Sequence, residues 1–97
     1  MIKHVVLFKF IEETTDDQLK ELCNEFKLLK GEIPGLVEAQ AGINTAQNNK
    51  GFRVLLTALF KNKVSLESYL SHSKHREFAL LSREIGRLDS IVMDIEV

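Results

Sequence analysis

The side chains able to move protons near neutral pH are few and fall in two places. His4 stands near the start of the chain. Tyr69, the only tyrosine, shares the segment Tyr69-Leu-Ser-His-Ser-Lys-His-Arg-Glu-Phe78 with His72 and His75. A neutral imidazole, with an unperturbed pKa of about 6.5, can accept a substrate proton near pH 7. A phenol hydroxyl can donate a hydrogen bond to a carbonyl, or to the oxygen of the enolate that forms from it. His75 as base, Tyr69 as donor and His4 as a third acid–base group form a candidate catalytic set. Each has a plainer role beside it. A histidine on an apolar face is commonly a hydrogen-bonded core residue, His72 near a helix boundary can cap it, and Tyr69 can serve packing alone. Metal binding is the competing chemistry, with His72 and His75 three apart on a helix and His4 as third ligand. Helical zinc motifs place two histidines four apart with an acid between them. Ser73 and Lys74 intervene here, so neither a metal nor a cofactor is expected.

These groups need elements to aim them. Residues 2–10, rich in β-branched and aromatic side chains, read as a strand. Ile2, His4, Val6, Phe8 and Phe10 point one way, and Lys3, Val5, Leu7 and Lys9 the other. Thr14, Thr15, Asp16 and Asp17 supply hydroxyls and acids for a helix start. Leu19, Leu22, Cys23, Phe26 and Leu29 then recur at helical spacing, with Gly31 as the expected stop. Cys23 lies in this stripe and reads as a small buried hydrophobe, not a nucleophile.

Pro34-Gly35 marks a turn, and a second strand is expected over about 36–43. The polar stretch Asn44 to Gly51 connects it to a strand over 52–60 that is apolar on both faces: Phe52, Val54, Leu56, Ala58 and Phe60 against Leu55 and Leu59. Ser65 is the expected cap of a short helix carrying Leu66, Tyr69 and Leu70. A break at Ser71–Ser73 precedes a longer helix ending near Gly86, on which His75, Phe78, Ser82 and Ile85 share a face. Phe78 is thereby placed as an apolar wall beside His75. Ile91, Met93 and Ile95 alternate in a last strand. The order β-α-β-β-α-β is the ferredoxin-like plan, an α+β fold with a four-stranded antiparallel sheet. Helices in this plan cover one sheet face. The other, with Val5, Leu7, Leu55 and Leu59, needs a partner, and two sheets packed face to face with C2 symmetry would supply it.

Composition narrows the function classes. Ninety-seven residues fit one domain, 1–97, and 44% apolar against 28% charged residues is an ordinary globular balance. Thirteen basic and fourteen acidic residues give a net charge of −1 with no basic block, so a nucleic-acid partner is not expected. One cysteine precludes an internal disulfide. No apolar run approaches the ~18–20 residues of a membrane span, and no signal-peptide pattern opens the chain. A cytoplasmic protein without a membrane partner is the expectation.

Three features together, Ile-Lys-His-Val-Val-Leu-Phe-Lys-Phe at residues 2–10, Ile33-Pro34-Gly35, and Tyr69-x-x-His72-x-x-His75-x-x-Phe78, resemble the stress-responsive A/B barrel (Dabb) family across essentially the whole chain. The resemblance implies a ferredoxin-like protomer whose sheets pack into a dimeric α+β barrel. It also implies similarity to a plant family member that closes a linear polyketide by aldol condensation. Its histidine base and tyrosine donor would fall on His75 and Tyr69. His4 and His72 would match pocket histidines, while Phe26 stands near where that relative has an aromatic pocket wall, a departure that implies a different pocket shape. One departure is local: the family commonly has proline after the first histidine of His-x-x-His, and Ser73 stands there. Three readings follow. The first is a hydrophobic small-molecule pocket doing cofactor-free cyclase- or lyase-like proton transfer. The second is a non-catalytic stress or assembly protein, and the third a cofactor-free monooxygenase of the same architecture.

Overall fold

A computed structural model describes residues 1–97. Its elements are β1 (Ile2–Phe10), α1 (Asp16–Leu28), β2 (Leu36–Ile43), β3 (Phe52–Phe60), α2 (Lys63–Leu70), α3 (Ser73–Glu84) and β4 (Arg87–Glu96). The strands form one antiparallel sheet in the order β2-β3-β1-β4. This is the expected ferredoxin-like α+β protomer, with its second helix broken into α2 and α3.

Alternation in β1 and β3 decides which face the helices cover. His4, Val6, Phe8 and Phe10 are buried, as are Val54, Leu56, Ala58 and Phe60. They meet Leu19, Leu22, Cys23 and Phe26 of α1 and Leu66, Tyr69 and Phe78 of α2 and α3 in one core. Each such large apolar side chain, when fully buried, contributes roughly 1.5–3 kcal/mol. Cys23 is enclosed in this core and burial pushes its thiol pKa up, which suits a packing residue and not a thiolate.

The opposite face is bare. Antiparallel partners point to the same side, so Leu55, Leu7 and Ile91 form a row across three strands. Thr57, Val5 and Met93 form the next row, and Leu59, Lys3 and Ile95 the third. Leu55 is 40% exposed and Met93 60%.

Local chemistry sets the helix ends. Thr15 and Gln18 form a reciprocal capping box at the start of α1. Gly31 is not the left-handed stop expected of it. The helix ends at Leu28 and tightens into a 3-10 turn over Leu29–Gly31, whose Leu29 carbonyl accepts from the Glu32 and Ile33 N–H groups. Ser65 does not cap α2 either: Asn62 does, accepting at Oδ1 from the Ser65 N–H at 2.9 Å. The Ser65 hydroxyl donates to the same oxygen.

Gly86 turns the chain from α3 into β4 with φ of +115°, and a Cβ there would lie 2.6 Å from both Ile11 Cγ1 and Thr14 Oγ1. The close approach is held by the Ile11 N–H on the Gly86 carbonyl at 3.0 Å and by the Thr14 hydroxyl on the Ile85 carbonyl at 2.5 Å. This turn starts β4 at Arg87, well before the Ile91–Ile95 alternation that betrays the strand in the sequence.

Candidate active site

A cavity of about 320 Å³ lies between the helix-covered sheet face and α2–α3. Its floor is His4, Val6 and Phe8 of β1, Leu56 of β3, and Ser90, Val92 and Asp94 of β4; Tyr69, His75 and Phe78 descend from the helices. The size is at the small end of the range for small-molecule sites, and apolar walls with a few polar groups are typical of them. It opens where the helices leave β4 uncovered, for Val92 on the same face is still 53% exposed.

The break between α2 and α3 aims the helical groups. α2 ends at Leu70 with Ser71 in a helical C-cap conformation, and α3 restarts at Ser73 with His72 as its N-cap. His72 Nδ1 accepts the Lys74 N–H at 3.0 Å. Ser73 is therefore the first residue of the helix, the position that accepts proline because its N–H has no helical partner. Without the break, six residues would place Tyr69 and His75 on different sides of one helix. With it, their ring centroids lie 4.7 Å apart, edge to face, and Tyr69 is also 6.2 Å from the His4 ring.

Three of the sequence-predicted groups, His4, Tyr69 and His75, thus meet in one cavity, with Phe26 and Phe78 as walls whose rings are 5.3 Å apart. His72 does not join them. It is not among the residues that line the cavity, and its ring is engaged as the helix cap.

The polar groups have defined states. Tyr69 is only 3% exposed, and burial pushes its phenol above the ordinary range, so it stays a neutral donor. Its hydroxyl takes part in no hydrogen bond within the chain, yet no fully enclosed polar atom is left without a partner. The hydroxyl is therefore open to the cavity. His75 is half-buried and its pKa is lowered, first by that burial; the Leu70 carbonyl opposes the shift, and the charges of His4, Arg87 and Arg83 add to it. It is neutral at pH 7.

Asp94 escaped the sequence reading. It lies directly across the β1–β4 ladder from His4, and its Oδ1 accepts from His4 Nδ1 at 2.5 Å. A carboxylate can only accept, which assigns a proton to Nδ1 and turns Nε2 away from Asp94. The one signal was an acid on the Val92 side of the last strand, useless without the register. Arg83 and Arg87 also line the cavity unforeseen, with the Arg87 guanidinium 5.0 Å from the Phe8 ring centroid.

Replacing Tyr69 by Phe isolates the hydroxyl. It removes no hydrogen bond within the chain, so the melting temperature should stay within a degree or two. If the hydroxyl serves a developing oxyanion, its loss lowers turnover about 10²–10³-fold. Parallel melts and single-turnover rates of Tyr69→Phe check both halves.

A ferredoxin-like sheet with helices on one face and a bare apolar face on the other defines the protomer of an α+β barrel. The chain belongs to the Stress responsive A/B Barrel Domain family, whose model matches residues 2–97. It is 27% identical over 79 residues to olivetolic acid cyclase of Cannabis sativa, covering 79% of this chain and 78% of the cyclase. A crystal structure of an Arabidopsis thaliana protein superposes with a TM-score of 0.86 at 22% identity, covering 100% of this chain and 95% of that one. A protein from Bacteroides fragilis, described as dimeric with a ferredoxin-like fold, superposes at 0.81 and 22% identity, covering 99% and 95%.

Proposed function

We propose that this protein is a homodimeric acid–base catalyst acting on hydrophobic carbonyl compounds, in the manner of a polyketide cyclase. One observation carries the reading: the hydroxyl of the otherwise buried Tyr69 side chain, without a partner in its own chain, opens to the cavity beside His75, whose pKa is lowered. His75 takes a proton from the carbon next to a carbonyl while Tyr69 donates a hydrogen bond to the enolate oxygen. The enolate carbon then forms a C–C bond to a second carbonyl of the same molecule, and the proton on His75 passes to the new alkoxide. Atoms and charge balance without a cofactor. His4, held by Asp94, is the second proton-carrying group, and Phe26 and Phe78 hold the apolar part of the substrate. The likeness to olivetolic acid cyclase supports this class of reaction. A second copy of the chain would cover the bare rows of Leu7, Leu55 and Ile91, in line with the dimeric relative.

The binding step is tested by thermal shift with a panel of aromatic, polyketide-like acids and neutral ketones. A ligand at about ten times its Kd stabilises by about 1.4 kcal/mol, a shift of several degrees for a domain of this size. No shift across the panel would favour the non-catalytic assembly role.

The pH profile follows from the His75 shift. The base works only when neutral, and its pKa lies below the ordinary histidine value. The rate should therefore hold as pH falls to about 6.5, where an ordinary imidazole is half protonated, and decline only below that. Since the Tyr69 pKa is raised, no alkaline loss should occur by pH 9. A kcat/KM profile with its acid limb above pH 7 would remove His75 as the base.

A further inference from the structure

Two cations in the cavity take no part in the proton transfers. Arg83, solvent-exposed, lies in the last turn of α3 and Arg87, half-buried, begins β4; both line the cavity that holds His75. Neither is in an ion pair, for the chain's pairs involve His4, Arg53 and Lys74. Asp94, the only carboxylate on the cavity wall, is held by His4. Arg83 has an ordinary use as the basic residue of a last helical turn. Arg87 has none of that kind. It is half-buried at a strand start, with its guanidinium against the Phe8 ring, and a partly desolvated cation without a counter-charge is unfavourable.

We propose that Arg83 and Arg87 form an anion subsite in this cavity, receiving the carboxylate of an otherwise apolar ligand and selecting acids over their neutral counterparts. The proposal rests on the reading of the cavity as a small-molecule site and adds the chemical class of its occupant. A planar carboxylate matches the guanidinium fork, and the Phe8, Phe78 and Val92 side chains suit an aromatic or alkyl remainder. The two arginines are close enough for the charge of one to disfavour that of the other, and both charges reach His75. A bound carboxylate would relieve that repulsion and leave His75 a stronger base with ligand in place.

Calorimetric titration of the full-length protein with 4-butylbenzoate and with 4-butylbenzamide separates the possibilities. The acid should bind about tenfold or more tighter than the amide, as a charge-assisted contact implies. In Arg83→Met/Arg87→Met the preference should vanish while amide binding persists, which also shows that the cavity has stayed folded. Arg83→Lys/Arg87→Lys should retain part of the preference. Equal binding of both probes to the wild type, or a preference that survives the double Met variant, would overturn the subsite alone. If neither probe binds, the cavity reading falls and the subsite with it.

Discussion

His75→Ala is expected to lower kcat by about 10²–10⁴-fold, the usual contribution of a positioned general base, with little change in the secondary structure seen by circular dichroism. The fold should survive because His75 is only half-buried, at the edge of the cavity, and donates to no other side chain. The neighbouring core of Phe26, Phe60 and Leu66 remains intact. The assay is ring closure of a linear poly-β-keto acid, followed by the absorbance of the aromatic product that forms when the aldol adduct loses water and enolises. Comparison with Tyr69→Phe is informative, because two groups acting on one transition state are not additive: the double variant should be little slower than His75→Ala alone. Full activity in His75→Ala would remove His75 as the base and transfer that role to His4 and its Asp94 partner.

Leu55→Asp is expected to break the dimer. Leu55 sits in the most apolar row of the bare face, between Gly42 on β2 and Leu7 on β1, with Ile91 beyond. Leu59 lies instead between Glu38 and Lys3, where a new carboxylate would find a cation. An unpaired charge buried at an interface costs about 3 kcal/mol or more, and each 1.4 kcal/mol weakens association tenfold, so the dissociation constant should rise more than about a hundredfold. In the separate protomer Leu55 is already 40% exposed, and the aspartate should not disturb its fold. Sedimentation velocity should give a monomer, or aggregate if the bare face pairs indiscriminately. Val64→Asp, at a position 70% exposed on α2, should sediment as the wild type. A stable dimer carrying aspartate at position 55 would mean that the copies meet elsewhere.

Period-two alternation around His4 in β1 and around Leu56 in β3 sorted the sheet faces correctly from sequence, because side-chain direction in a strand is fixed by parity alone. The helical stripe of Leu19, Leu22, Cys23 and Phe26 was equally legible, and so was the break near Ser71. Helix ends were less so. Ser65 and Asn62 both have side chains that cap, and the choice turned on where the backbone first becomes helical. Gly31 resembled a stop, but a 3-10 turn satisfied the free carbonyls before a left-handed residue was needed.

The candidate site divides the same way. That His4 faces the helices, and that a kink can bring Tyr69 to His75, were consequences of spacing. That His72 caps α3 was not, since its ring could serve the Lys74 N–H or a pocket equally well until the backbone was placed. Asp94 is 90 residues from His4, and their union depends on the register between the first and last strands, which no local pattern encodes. Arg83 and Arg87 reach the cavity because Gly86 reverses the chain against Ile11 and Thr14. The sequence by itself determined a sheet with two apolar faces and the identity of its proton-carrying groups, because periodicity and side-chain chemistry are local properties. Only the tertiary structure decided which of those groups meet and which charges surround them, because register and chain reversal are fixed by contacts between distant residues.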